Sequence, residues 1–279
     1  MKRPNVDVRA RKGYWAPTLA DEKRAANPTP DLAKPVLDAL ATLPPPVHDG
    51  RHGRTWIGTA RGANGRTRVT VVWEQLAQAP GGRREAVGPV SVMARDRNGS
   101  ELFRGPGPDV QNAAATPPMR RFVFEAPPGR VELRVVVEGA GGETLDREIR
   151  SIDVPDLSAS DRAISTPQVH RGRTARELQA IAADPAAVPV VAREFARTER
   201  LLIRFDVYAP GGEEPTPVAA VLNRNGEKMF DVAVAAAPTG ATHQIDLGLG
   251  MTPPGEYLLE IVVPAEGAPV RQLVAFRVR

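Results

Sequence analysis

The sequence contains no cysteine, few aromatic residues and no long apolar run. Without cysteine, neither a disulfide framework nor a thiolate metal site can form. Aromatic residues make up 5% of the chain, so the core must consist mainly of valine, leucine, isoleucine and alanine. There is no stretch of 18 apolar residues to cross a bilayer, and no apolar segment follows the basic residues 1–5. The sequence therefore predicts neither membrane insertion nor a signal peptide.

Basic charge is concentrated at the N-terminus. The formal net charge is +4, and residues 1–12 hold five basic side chains against one acidic side chain, Asp7, which leaves the rest of the chain formally neutral. A nucleic-acid interface needs a basic stripe on a folded element. The arginines of the predicted strands instead alternate with apolar residues, as on a solvated sheet face, so no nucleic-acid partner is predicted.

One passage of the chain occurs twice. After a Pro-Pro-Gly break ending at Gly129, four apolar residues alternate with polar ones, and the same spacing follows Gly255. The aligned residues are Val131, Leu133, Val135 and Val137 in the first copy and Tyr257, Leu259, Ile261 and Val263 in the second. Alternation with period two predicts strands with one buried face. Proline and glycine before each strand predict chain reversal there.

The match extends backwards from these strands. An Arg-Asn-Gly turn at residues 97–99 corresponds to another at residues 224–226, and Trp73 corresponds to Phe205 at the end of an apolar strand. Trp73 shares the parity of its apolar neighbours, so we expect it to anchor a core rather than to contact a ligand. The repeat predicts an all-β protein with two tandem immunoglobulin-like or fibronectin III-like β-sandwiches.

The predicted domains follow from this repeat. Residues 1–51 should form a strand, two short helices and a proline-rich linker, residues 52–155 the first sandwich, and residues 156–279 the second. The second helix of the N-terminal segment should bury one stripe, formed by Leu32, Val36, Leu37 and Leu40. The second sandwich departs from the first by a helical insertion near residues 174–184, which opens with a capping box of Thr174 and Glu177.

Two stretches carry a resemblance to a known family. VDVRARKGYWAP, at residues 6–17, resembles the closing strand and exit of the von Willebrand A-like domain in bacterial VWFA-related domain proteins. Residues 166–210 resemble part of the β-rich region that follows that domain in some of these proteins. The resemblance implies that the chain is the C-terminal part of a larger protein that is secreted or periplasmic. The A-like domain itself is absent, so its metal-dependent adhesion is not implied.

Two motifs could be mistaken for metal sites. Asp156, Ser158 and Ser160 spell D-x-S-x-S, the first element of the A-domain metal site, but a proline precedes them and they lie between the two repeats, where a linker is predicted. His48 and His52 have the spacing of ligands on one helical face but lie in a segment rich in proline and glycine. We therefore predict no metal site and no cofactor.

Catalytic signatures are also missing from the sequence. Neither G-x-S-x-G nor a P-loop occurs. His170 and His243 have no serine or aspartate partner in a nucleophile motif, and residues 213–214, a pair of glutamates, fit a solvated turn better than a glycosidase dyad. The sequence predicts no catalytic residues and no enzyme activity.

The preferred interpretation is a non-catalytic structural or interaction module that spaces or presents an adjoining domain or a partner protein. The joint at residues 155–161 would set the separation of two rigid sandwiches. A binding surface would lie in the loops at residues 75–88 and 105–117 or in the insertion at residues 174–197.

Two alternative functions remain. A carbohydrate-binding sandwich would present Trp15, Trp56 and Tyr208, and it requires Trp56 and Tyr208 to be exposed and coplanar on one surface. An unrecognised hydrolase would require a cleft that contains a titratable group with a strongly shifted pKa.

Overall fold

A computed structural model of the protein describes residues 32–43, 51–76, 87–106, 109–110, 119–158, 162–210, 215–265 and 267–279. These residues form mostly antiparallel β-strands and two short helices, so the all-β prediction is confirmed. No helix in the described part of the chain is long and apolar enough to cross a membrane. The predicted N-terminal strand and first helix lie outside the described residues.

The first repeat forms two four-stranded sheets. The strands are β1 (Gly53–Arg61), β2 (Thr67–Gln75), β3 (Val87–Asp96), β4 (Glu101–Pro106), β5 (Asp109–Val110), β6 (Met119–Ala126), β7 (Gly129–Gly139) and β8 (Thr144–Val154). The orders are β1-β2-β6-β5 and β4-β3-β7-β8. Trp73 is 2% exposed and lies in the core between the sheets, with the four alternating residues of β7, which confirms its predicted role.

The second repeat forms a similar pair of sheets. The strands are β9 (Ala163–Ile164), β10 (Gln168–Gly172), β11 (Glu194–Phe195), β12 (Arg200–Phe205), β13 (Val207–Tyr208), β14 (Val218–Asn223), β15 (Lys228–Val232), β16 (Ala235–Ala236), β17 (His243–Gly248), β18 (Gly255–Val263) and β19 (Val270–Val278). One sheet has the order β10-β12-β17-β16 and the other β11-β19-β18-β14-β15, while β9 pairs with β13. The alternating residues of β18 are buried in its separate core, with Phe205.

The two Asn-Gly pairs of the first repeat form different turns. Asn64 and Gly65 both have positive φ, as a tight Asn-Gly hairpin requires. At the second Asn-Gly pair only Gly99 has positive φ, because the side chain of Asp96 accepts bonds from the backbone N–H groups of Asn98 and Ser100 and sets a different turn.

Helix α1 (Lys34–Leu40) packs on the second sandwich rather than on the first, which follows it in the chain. Its buried contacts involve Val36, Ala39, Leu43 and, from the outer face of the β14, β18 and β19 strands, Ala220, Leu222, Leu258 and Ala275. Leu37 is 49% exposed, so its assignment to the buried stripe was wrong. The sheet meets the helix face of Val36 and Ala39, and Leu37 lies beside that face.

Helix α2 (Ala175–Ala183) lies in the insertion of the second repeat and ends before Pro185. Its first turn is capped by the hydroxyl of Thr174, which accepts a bond from the N–H of Glu177, while the carboxylate of Glu177 accepts one from the N–H of Arg173. The chain then runs through residues 184–193, called here the crossing segment, before it enters β11 at the edge of the other sheet.

Candidate functional site: the junction between the sandwiches

The outer face of the β1-β2-β6-β5 sheet is covered by the crossing segment. Because neighbouring residues of a strand point to opposite faces, Trp56 and the paired Val72 lie outside when Trp73 lies in the core. On this outer face, Val72 and Met119 pack against Val188 and Val191 of the crossing segment, with Trp56 at the border of the same cluster. Residues from both sandwiches thus form one small apolar cluster.

Glycine at position 58 makes room for Trp56. A Cβ atom built on Gly58 would lie 2.2 Å from the indole ring. We expect Gly58→Ala to displace the ring and to destabilise the junction by about 1–3 kcal/mol, as overpacking does. Near-ultraviolet circular dichroism and urea unfolding would detect the change. Gly250→Ala, whose new Cβ would find its nearest neighbour at 4.0 Å, is the matched control and should leave both signals unchanged.

Hydrogen bonds between Thr59 and Thr166 also connect the sandwiches. The N–H of Thr59 donates to Oγ1 of Thr166 at 2.9 Å, the N–H of Thr166 donates to the carbonyl of Thr59 at 2.8 Å, and the two hydroxyls are 3.0 Å apart. The second sandwich therefore contacts backbone groups of β1 as well as the side chains of β1.

Tyr208 forms a further contact at the end of β1. Its hydroxyl accepts a bond from the N–H of Arg61 at 2.9 Å, and the guanidinium of Arg61 lies 4.3 Å from the centre of the ring. The guanidinium also donates to the carbonyl of Leu157 at 2.7 Å. Burial raises the pKa of Tyr208 to about 12. The ring is therefore a neutral, half-buried part of the junction.

Glu74 is the buried carboxylate of the junction. It is 8% exposed, and its Oε2 accepts bonds of 3.0 Å from the N–H groups of Val191 and Ala192. In the same segment Arg193 is also 8% exposed, and its Nη1 donates to the carbonyl of Val190 at 2.7 Å. Burial lowers the pKa of Arg193 to about 10, and the negative charge of Glu74 opposes this shift.

A cavity of about 630 Å³ lies beside this cluster, and we call it the junction cavity. Its walls include residues 41–43, which follow α1, the first half of β1, residues 166–167 and the middle of β19. Four arginines line it: Arg51, Arg54, Arg150 and Arg193. No acidic side chain of the described residues lines it.

Glu148 binds two of these arginines at the edge of the cavity. Its Oε1 accepts from Nη1 of Arg51 at 3.1 Å and from Nε of Arg150 at 2.6 Å, and its Oε2 accepts from the hydroxyl of Thr55 at 3.0 Å. Arg54 has no hydrogen-bond or ion-pair partner among the residues that the structure describes. Among the four arginines of the cavity, Arg54 is therefore the one without a direct hydrogen-bond or ion-pair partner in the described part of the chain.

The first part of the D-x-S-x-S motif, residues 156–158, follows β8 in a bend. Oδ1 of Asp156 accepts bonds from the N–H and the hydroxyl of Ser158, at 2.9 and 2.7 Å. The third residue of the motif, Ser160, lies outside the described residues. The described part of the chain holds no group of three or more potential metal ligands among its His, Asp and Glu residues.

The three histidines that the structure describes do not form one group of potential metal ligands. His48 lies outside the described residues, and His52 immediately precedes β1. His170 is 1% exposed in β10, whereas His243 stacks on Phe205 with 5.6 Å between ring centres. Burial lowers the pKa of His170 to about 3, but this histidine does not line the junction cavity. The strongly shifted group and the junction cavity are therefore at different places in the described part of the chain.

The carbohydrate alternative lacks its predicted surface. Trp56 borders the apolar cluster of the junction, and Tyr208 lies under the guanidinium of Arg61, so these two rings do not form an exposed, coplanar pair. Trp15 lies outside the described residues, as do residues 213–214 and most of the two long loops proposed for binding. Of the three predicted binding regions, the insertion is the one the structure describes.

Buried charges were missed by the sequence-based reasoning. Arg204 is 3% exposed, and its guanidinium donates to the carbonyls of Asp184 at 2.8 Å and Ile181 at 3.3 Å, and to that of Thr239. Like Glu74, it lies on a strand whose outer face is covered by the insertion, whereas Arg193 lies in the insertion itself. Two features of the sequence could have indicated these buried charges: the apolar run at residues 186–192, and strands with apolar residues on both faces, which are typical of sheets covered on both sides.

No family model matches the chain, and no curated protein matches it. Among solved structures, the fibronectin(III)-like modules of Clostridium thermocellum CbhA align with 75% of this chain and 85% of their own, at 10% sequence identity and a TM-score of 0.22. An alignment this loose carries no argument about function. The fold assignment rests on the two pairs of sheets and their separate cores.

Proposed function

We propose that the chain is a non-catalytic structural module that holds its two sandwiches as one rigid body and thereby presents an adjoining domain or a partner protein. The bound carboxylate of Glu74 is the observation that carries this proposal. Burying a charge is costly unless its hydrogen bonds are made, and here two of its partners are N–H groups from the other sandwich. The cost of burying the Glu74 carboxylate is therefore offset only when the two sandwiches are docked.

The insertion is the docking device in this proposal. It is the main departure of the second repeat from the first, and its crossing segment supplies the partners of Trp56 and Glu74. The joint at residues 155–161 is therefore not the only connection that sets the geometry. Direct contacts extend from Arg61 at one end of β1 to Glu74 in the adjacent strand.

We further propose that the module belongs to an exported protein of the VWFA-related type. The support is the resemblance of residues 166–210, a stretch that includes the crossing segment. If proteins with this stretch share the docked arrangement, the A-like domain in them would be carried on a stiff, two-sandwich base.

Spin-label distances test the rigid arrangement. The chain has no cysteine, so labels on Glu132→Cys in the first sandwich and Asn225→Cys in the second, both at exposed positions, form a unique pair. Pulsed electron double resonance should give one narrow distance distribution. The distribution should broaden when Glu74→Ala and Trp56→Ala are added and stay narrow with the exposed Arg68→Ala. A broad distribution in the otherwise unchanged chain would disprove the proposal.

A further inference from the structure

The junction cavity combines positive charge with apolar walls. Its volume of about 630 Å³ lies within the range of small-molecule sites, which often occur between domains. Trp56, Leu76, Val191 and Leu273 contribute apolar or aromatic surface. Such walls favour a ligand with a flat apolar part, since an inorganic ion alone would leave them in contact with water.

Arg54 supplies the charge that distinguishes this cavity. It lies on β1 opposite Glu74, on the same outer face as Trp56. The Oε2 atom of Glu74 is bound by two backbone N–H groups, and no ion pair joins Glu74 to Arg54 in the described residues. A half-buried guanidinium presents several donors in a plane, which suits the two oxygens of a carboxylate or phosphate.

We propose that the junction cavity binds a small organic anion, with its carboxylate or phosphate group at Arg54 and its flat apolar part against Trp56. Arg193 adds a second positive charge to the cavity, while Glu148 compensates Arg51 and Arg150 at the edge. Such a ligand would touch residues 41–43 after α1 and both sandwiches, so its binding would stabilise their docked arrangement.

Calorimetric titration with three matched probes tests the site. Benzoate offers a carboxylate, phenyl phosphate a phosphate, and benzamide the same ring without charge. We expect at least one anion to bind with a stoichiometry of one and benzamide to bind about tenfold more weakly or not at all. The anion that binds more tightly identifies the preferred acidic group.

Substitutions of Arg54 test whether the anion binds in the junction cavity. Arg54→Gln should weaken the anion about tenfold, and Arg54→Lys should weaken it less, because it keeps the charge without the planar donors. Arg68→Gln, on the same sheet but outside the cavity, should have no effect. Circular dichroism would confirm that each variant is folded, and a misfolded Arg54→Gln would leave Arg54→Lys as the deciding variant.

The proposal would be overturned by lack of binding of both anions at about 10 mM. It would equally be overturned by anion affinity that neither folded variant of Arg54 reduces. This inference goes beyond the rigid-module proposal, and the two can fail separately. Spin-label distances report docking whether or not a ligand binds, and titration reports binding whether or not docking is rigid.

Discussion

Replacing Glu74 with alanine should lower the free energy of unfolding by about 3–5 kcal/mol, which is the range for removing one partner of a buried charged group. The substitution leaves the N–H groups of Val191 and Ala192 without their acceptor. It also removes the negative charge that counteracts the lowered pKa of Arg193. Urea unfolding followed by tryptophan fluorescence would measure the loss, and emission from Trp56 should shift to longer wavelength.

Two further variants separate the buried charge from general damage. Asp246→Ala removes an exposed carboxylate that pairs with Arg200 at 3.0 Å, and it should cost less than about 1 kcal/mol. Glu74→Gln keeps a side-chain oxygen that can accept the bonds of the two N–H groups, so it should cost less stability than Glu74→Ala. A loss for Glu74→Ala no larger than for Asp246→Ala would contradict a structural role of the junction.

The inner faces of both sandwiches could be predicted because their signal is local. Alternation with period two places Val131 and Leu133 on one face whatever the rest of the chain does, and the structure buries both. The same holds for Tyr257 and Leu259 in the second repeat. Capping of α2 by Thr174 was equally local, since all its partners lie within a few residues.

The outer faces could not be predicted, because their partners are distant in sequence. In the sequence, Glu74 looks like an ordinary polar residue at the end of a strand. In the structure it is covered by the crossing segment, which lies more than a hundred residues later in the chain. For the same reason, the prediction of which α1 residues are buried was wrong in part. The pattern alone allowed Leu37 to be buried, whereas the sheet of the second sandwich contacts Val36 and Ala39 instead.

The candidate site was predicted only in its general location. The insertion was named as a binding region, but the junction cavity needs residues 41–43, β1 and β19 together, and these come from three separate parts of the chain. Trp56 was proposed as an exposed sugar platform. Its real environment follows from the consecutive buried residues Val71, Val72 and Trp73 in the paired strand, which show that both faces of this sheet are covered.

The second large expected effect is a loss of stability at acid pH, caused by His170. Burial between β10 and the insertion, together with the charge of Arg204, lowers the pKa of His170 from 6.5 to about 3. In the unfolded chain His170 binds a proton more readily than in the folded chain. Its contribution to the free energy of unfolding is therefore fully present above pH 6.5 and is lost as the pH falls towards 3. From the 1.36 kcal/mol per pH unit of this linkage, the loss caused by His170 should reach about 2 kcal/mol at pH 5.

His170→Leu should remove this part of the acid sensitivity, because leucine has a similar volume and no proton to bind. The free energy of urea unfolding should therefore fall between pH 7.5 and pH 5 by about 2 kcal/mol less in the variant than in the unchanged chain. Ile203→Val, on the inner face of the neighbouring strand, should cost about 0.5–1.5 kcal/mol equally at both pH values. If His170→Leu kept the full pH dependence, the histidine would have to be solvated or paired at acid pH, and the crossing segment would not seal this face of the sheet.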